Sequence, residues 1–318
     1  MLRSALLFAF FATSGLGQTR SATPAIVFVH GRNQPIDSLE AVRAIFLGSF
    51  DRAQKQWLGE AIVPAGDLGF VWYADAIDPN SDRIPTSGSC NFAEDMSRAA
   101  EDMSTAAEAR RGDIRDDLMG LATSLHLDGL GLRILTADTY KYLTSTVTRC
   151  EADSRLAGEL SNRGFSDRLI IVVAHSMGGI VSFASIKRNA ESLTPANRFS
   201  VLRLVTIGTQ VGVPVILKGL LGSYVQTPVA EPLSIASWRN FINQGDKLAF
   251  PARASFKATN ADRLPVDIRI NTPGERHSAA NYLADRRVVR AILWAWCTSQ
   301  LTSKPAKCAV VEEQGDVR

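Results

Sequence analysis

Neither sign of charge predominates in this chain. Its 35 Lys and Arg face 32 Asp and Glu, a net +3 over 318 residues, so no basic excess draws it to nucleic acid. It has only four cysteines, Cys90, Cys150, Cys297 and Cys308. None is in a C-x-x-C spacing and none has a neighbouring histidine, which leaves a zinc site without support. It has no G-x-x-x-x-G-K-S/T phosphate loop and no G-x-G-x-x-G dinucleotide turn. Internal repeats and low-complexity tracts are absent too, which excludes a solenoid. What is present is a chain 46% hydrophobic and 21% charged, too apolar for disorder. It is long enough to bury its own core without a metal or disulfide to hold it.

The first 22 residues read as a secretory leader. Arg3 supplies the positive end, Ala5 to Ala12 form an eight-residue apolar stretch, and small residues follow at Ser14, Gly15, Gly17, Ser21 and Ala22. The stretch is too short to span a membrane, and the cleavage point falls between Gly17 and Ala22. The competing reading is a buried first helix. Export, to the periplasm or beyond the cell, makes the even cysteine count a disulfide count. Cys90–Cys150 and Cys297–Cys308 are the pairings expected, since each pair lies within one stretch of chain. Four buried thiols are the alternative for a protein that stays inside.

Short continuous apolar runs bounded by turn residues read as buried parallel strands. They occur at Ala25–Val29, Gly69–Tyr73, Leu169–Ala174, Leu202–Ile207 and Trp238–Asn243, with a weaker one at Val266–Ile270. Helical spacing fills the intervals, for example Ile36–Leu47, Met177–Asn189 and Ala279–Trp296. This alternation predicts an α/β fold: a mostly parallel sheet of about six strands with helices on both faces. Residues 23–300 form that one domain, followed by a C-terminal tail over 301–318. No strand-like run occurs from Asp75 to Arg168, so an insertion at about 76–168 must be helical, and can serve as a cap. A second connection carries the apolar stretch Val213–Tyr224 away from the C-terminal edge of the sheet. Val213, Leu217, Leu220 and Leu221 are candidates for a substrate-pocket wall, or else for a helix packed in the core.

The most informative stretch is Leu169-Ile-Ile-Val-Val-Ala-His-Ser-Met-Gly-Gly179, a buried strand running through a serine into a helix. A nucleophile elbow needs small residues two before and two after the serine, because the turn is too tight for larger ones. Ala174 and Gly178 hold those places around Ser176. A serine hydroxyl needs a base, and four histidines permit elimination. His30 ends the first strand, His175 adjoins Ser176 with its side chain expected to point away, and His126 lies in the helical insertion. His277, in the loop after the last strand, remains as the base. The carboxylate that orients it is expected at Asp246, in the turn directly after a clear strand, with Asp267 as the fallback. Ser176, Asp246, His277 then follow the chain order of one known triad arrangement.

These segments resemble the α/β-hydrolase superfamily, of the lipase and esterase type, from about Ala25 to Trp296. Val29-His30-Gly31-Arg32 resembles its H-G-x oxyanion loop, and Thr206-Ile-Gly-Thr-Gln-Val-Gly212 its T-x-G-S-P-x-G segment with Gln210 for the proline. Asn243-Gln-Gly-Asp246 and His277-Ser-Ala-Ala-Asn-Tyr282 resemble its acid and histidine segments. The resemblance implies an oxyanion hole made by the backbone N–H groups of Arg32 and Met177. It also implies a serine esterase that cleaves carboxylic esters through an acyl-enzyme on Ser176, with a small-molecule or lipid ester as partner and no cofactor. Thioesterase, amidase or acyltransferase chemistry on the same triad, or a binding protein that keeps only the fold, are the alternatives.

Overall fold

Continuous apolar strands have to be covered on both faces, and the helices available here are numerous enough to do it. The computed structural model describes residues 23–31, 38–77, 105–127, 129–161, 168–191, 201–221, 228–230, 235–258, 260–300 and 304–318. The expected leader over 1–22 lies outside the described residues, as do Arg32 and Cys90. Eight strands are present among those described: β1 (Ala25–Val29), β2 (Leu68–Val71), β3 (Ile170–His175), β4 (Val201–Ile207), β5 (Val229–Ala230), β6 (Trp238–Asn243), β7 (Phe256–Lys257) and β8 (Pro265–Ile270). The two-residue strands β5 and β7 pair with each other. The other six, one for each expected run, form a single sheet in the order β2-β1-β3-β4-β6-β8, parallel throughout.

Side chains alternate across the strands, and each face has its own core. On one face Val27, Val29, Ile170, Val172, Ala174, Leu204 and Trp238 meet the helices that follow β2, β3 and β4. On the other, Ile26, Phe28, Ile171, Val173, Val205, Ile207, Phe241 and Ile268 meet α1 (Leu39–Leu58) and the C-terminal helices. α1 begins where the Ser38 hydroxyl accepts the Ala41 N–H at 3.2 Å. It runs eleven residues past the expected end at Leu47, because Phe50, Ala53 and Leu58 continue its buried stripe.

The long insertion is helical wherever it is described. After α2 (Ala74–Ile77) come α3 (Thr105–Ser124), α4 (Gly129–Arg133), a five-residue π-turn over Ile134–Asp138, α5 (Thr139–Thr144) and α6 (Thr146–Ser161). α6 lies against α7 (Met177–Glu191), the helix that leaves β3. The stretch after β4 forms α8 (Pro214–Leu221), packed on α3 and α5. Val213 and Leu217 belong to the core of that face, and Leu220 and Leu221 are partly buried against it.

The expected helix over Ala279–Trp296 is two helices, α9 (Ala279–Ala284) and α10 (Arg286–Thr298). Asp285 leaves the helical conformation between them, and its carboxylate caps α10 by accepting the Arg287 N–H at 2.8 Å. Residues 304–318, expected as a tail, pack against the domain. A disulfide joins Cys297 on α10 to Cys308 on α11 (Cys308–Glu313), the pairing expected from the sequence. Cys150 is also disulfide-bonded. A disulfide is the bond of an oxidising compartment. None of the described helices is long and apolar enough to cross a membrane.

Beyond α11 the chain is held by charge. Arg203 donates to both Asp316 oxygens, at 2.7 and 2.8 Å, and Arg239 donates to Oδ2 of the same carboxylate. The Arg203 side chain is 3% exposed and that of Asp316 11%, so the pair is largely withdrawn from water. Removing the carboxylate would leave two buried guanidinium groups without their anion. Asp316→Ala is therefore expected to cost about 3–5 kcal/mol in urea unfolding. A loss under about 1 kcal/mol would show that the clamp is open to solvent.

Candidate active site

The chain enters the sheet at β1, moves outward to β2, then returns past β1 to β3. That reversal puts a topological switch point between the C-terminal ends of β1 and β3, where open α/β sheets bind their ligands. His30-Gly31 leaves β1 there, and His175-Ser176 ends β3 there. α7 starts at the next residue, Met177.

Ser176 has φ +54°, in the left-handed region that a residue with a side chain rarely adopts. The turn holds because it is pinned on both sides. The Ser176 N–H donates to the Ile207 carbonyl at the end of β4 at 2.9 Å, and its own carbonyl accepts the Gly179 N–H at 3.0 Å. The elbow also presses against the β1 exit. A Cβ on Gly178 would sit 2.7 Å from the Val29 carbonyl oxygen, and one on Gly31 would sit 2.6 Å from the Ser176 Cβ. Met177 opens α7, so its N–H has no carbonyl one turn earlier to donate to, and the helix N-terminus carries partial positive charge beside Ser176.

Three side chains from three different loops meet at this point. His277 Nε2 lies 2.9 Å from Ser176 Oγ. Its Nδ1 lies 3.0 and 2.9 Å from the two Asp246 oxygens. The Asp246 side chain is 1% exposed and that of His277 19%. A buried carboxylate needs donors, and two more are supplied. The Leu248 N–H donates to Oδ1 at 2.9 Å and the Tyr282 hydroxyl to Oδ2 at 2.7 Å. With Asp246 accepting at Nδ1–H, Nε2 is left as the acceptor toward the Ser176 hydroxyl.

The loop that carries His277 is tied down from below. Asn243, the last residue of β6, donates from Nδ2 to the Arg276 carbonyl at 3.0 Å and to Thr272 Oγ1 at 2.8 Å. Its Oδ1 accepts the Thr272 N–H at 3.0 Å. His175, whose side chain is expected from its place on the elbow to point away, is turned to the backbone of the histidine loop. Its ring is buried, 4.9 Å from the His277 ring, and Nε2 donates to the His277 carbonyl at 2.7 Å. Burial first, and the neighbouring His277 second, push the His175 pKa well below the ordinary imidazole range, so it stays neutral. Neither Asn243 nor His175 carries a sequence signal for these roles, since both act on backbone carbonyls remote in the chain.

The remaining candidates are elsewhere. Asp267, the fallback acid, accepts from Asn240 Nδ2 at 2.7 Å and from the Ala252 and Arg253 N–H groups at 2.9 and 3.1 Å. It braces the loop after β6 and has no contact with His277 among these bonds. His30 stacks on Trp72 and Tyr73 and accepts the Tyr73 N–H at Nε2. His126 is exposed at the end of α3 and contacts the Thr123 carbonyl. Among the described residues no group of three or more His, Cys, Asp or Glu side chains is placed to hold a metal. The expected oxyanion donor Arg32 lies outside the described residues.

Compared with protein-family models and with curated proteins, the chain matches none. The site therefore has to be judged on its own geometry. The close approach of the elbow to β1 is backbone against Cβ, which no rotamer change relieves. Gly178→Ala is expected to destabilise the protein by about 1–3 kcal/mol, read by urea unfolding. An unchanged midpoint would mean that the β1 exit can withdraw from the elbow.

Proposed function

We propose that this protein is a serine hydrolase of the α/β-hydrolase type that cleaves carboxylic esters through an acyl-enzyme on Ser176. The observation that carries this reading is the unbroken line from Asp246 through His277 to Ser176 Oγ, each step at about hydrogen-bond length. It is supported by the elbow conformation at Ser176 and by its place at the switch point of the sheet. Fold alone would not license an activity.

In this reading Ser176 Oγ attacks the ester carbonyl carbon while His277 Nε2 takes the hydroxyl proton. Asp246 fixes the imidazole tautomer and stabilises the imidazolium that forms. The carbonyl oxygen, now an oxyanion, receives the Met177 N–H at the head of α7 and the Arg32 N–H from the β1 loop. His277 then protonates the alcohol as the C–O bond breaks. Water, deprotonated by His277, attacks the acyl-enzyme, and the acid leaves as Ser176 recovers its proton. No metal or organic cofactor enters any step. Val213 and Leu217, also candidates for the pocket wall, are buried in the core instead, so the acyl chain would run along the edge of α8 past the partly buried Leu220 and Leu221. A protein made for export, to the periplasm or outside, would carry out this reaction on ester substrates met there, with its disulfides formed.

Ser176→Ala is expected to abolish fluorophosphonate labelling and to cut ester hydrolysis by about 10⁴- to 10⁶-fold with little change in melting temperature. Labelling that persists on another serine would overturn the assignment. Asp246→Asn is expected to lower kcat by about 10²- to 10⁴-fold with KM nearly unchanged, whereas Asp267→Asn should act mainly on stability. A greater loss of kcat from the Asp267 change would move the acid to β8. A panel of p-nitrophenyl esters of increasing chain length tests the α8 edge. Leu220→Ala should lower kcat/KM progressively for longer chains, by about 0.8 kcal/mol per methylene that loses its contact. An equal loss for short and long esters, together with a lower melting temperature, would make Leu220 a core residue only.

A further inference from the structure

The histidine segment holds a second polar side chain that the proton relay does not use. Tyr282 lies on α9, five residues beyond His277, and is fully buried. Its oxygen has two polar neighbours, the Asn243 N–H at 2.9 Å and Asp246 Oδ2 at 2.7 Å. A backbone N–H can only donate, so it occupies a lone pair of the phenol oxygen. The hydroxyl proton is thereby directed to the carboxylate. Burial and the adjacent Asp246 charge push the Tyr282 pKa far up, which keeps that proton on the phenol.

Asp246 Oδ2 is also the oxygen nearer to His277 Nδ1, at 2.9 Å. The phenol and the imidazole therefore share one oxygen of one buried carboxylate. A donor at that oxygen does two things. It fixes the rotation of the carboxylate, because Leu248 holds only the other oxygen. It also takes up part of the negative charge that would otherwise act on the imidazolium alone.

We propose that Tyr282 is a positioning residue of this site, whose hydroxyl orients the Asp246 carboxylate and shares its charge, and so sets how readily His277 takes the Ser176 proton. This rests on reading Ser176, His277 and Asp246 as an acyl-transfer triad. The phenyl ring has a separate task. It packs with Leu283, Ile207 and Phe241 in the core of that face, and a phenylalanine ring would fill the same space.

Other titratable groups stand around the pair. On the elbow, His175 is buried and neutral, with its Nε2 bonded to the His277 carbonyl. On the acid turn, Lys247 reaches away to the His126 carbonyl at 3.1 Å. On the histidine loop, Glu275 and Arg276 precede His277, and Arg276 is bonded to Asn271 and Thr272. Asp267 on β8 is taken by Asn240, and α1 presents the apolar Phe46 and Phe50 to this core. Tyr282 is the side chain besides His277 that donates to Asp246 in this set.

The test compares full-length wild type, Tyr282→Phe, and protein carrying 3-fluorotyrosine at position 282, with Ser176→Ala as control. The readouts are p-nitrophenyl butyrate hydrolysis and the rate of fluorophosphonate labelling, each against pH. In Tyr282→Phe the undivided carboxylate charge favours the protonated base, so the acid limb of both profiles should move up by about half a pH unit. kcat should fall about tenfold with KM within twofold. Fluorotyrosine keeps the fold and donates more strongly, so its acid limb should move down. Limbs that stay in place in both variants, with rates that follow melting temperature alone, would overturn the role of Tyr282. Should Tyr282→Phe fail to fold, an unmoved limb in the fluorotyrosine protein overturns it by itself. Reactivity that survives in Ser176→Ala would instead overturn the triad, whatever Tyr282 does.

Discussion

Everything at this site depends on one strained junction, the passage from β3 into α7 through a serine at φ +54°. Ser176 is fully buried at this junction, with its hydroxyl against the His277 ring. The left-handed residue aims that hydroxyl at His277 from the C-terminal end of β3, and leaves the head of α7 beside it. Strain of this kind persists only where the surroundings over-determine it. Here the Ile207 carbonyl, the Gly179 N–H and the backbone of β1 at Gly178 together supply that constraint.

The three loops that converge on Ser176 are coordinated by bonds to the strand ends and by bonds among themselves. Asn243 ends β6 and ties the histidine loop through Arg276 and Thr272. His175 ties the same loop from the elbow through the His277 carbonyl. Tyr282 links α9 back to the acid turn through Asp246 and the Asn243 N–H. The proposed base is thus held through its backbone on two sides and through its ring on a third. In the proposed reaction such a frame would let a proton move without the groups that exchange it having to search for one another.

The insertion and the C-terminal segment extend the same economy to the edges of the fold. α8 packs on α3 and α5, and its buried residues join the core on that face of the sheet, so a cap built on the insertion would share that core. On the opposite face α10 and α11 are joined by the Cys297–Cys308 bridge, and the last residues are clamped by Arg203 and Arg239. A covalent staple and a buried ion pair there fix a chain end that would otherwise fray.

The inner strands β1 and β3 were legible in the sequence because burial on both faces leaves them almost wholly apolar. Ala25–Val29 and Ile170–His175 are buried at every position, and such runs cannot be mistaken for a half-exposed edge. Ser176 was legible for a related reason: the tight elbow restricts its neighbours to small residues, and that restriction is local in the chain. Asp246 and His277 could be named from their order and their loops, but their distance from Ser176 could not. That distance depends on the register of β6 and β8 against β4 and on the length of each loop, which are tertiary quantities. The break at Asp285 escaped notice because the apolar stripe of α9 and α10 runs through it, while the cap that causes it is a single side-chain bond. Asn243, His175 and Tyr282 were silent for the deepest reason. Their partners are a carbonyl, a carboxylate or an N–H brought close only by folding, and a hydrogen bond between distant loops leaves no pattern in the order of residues.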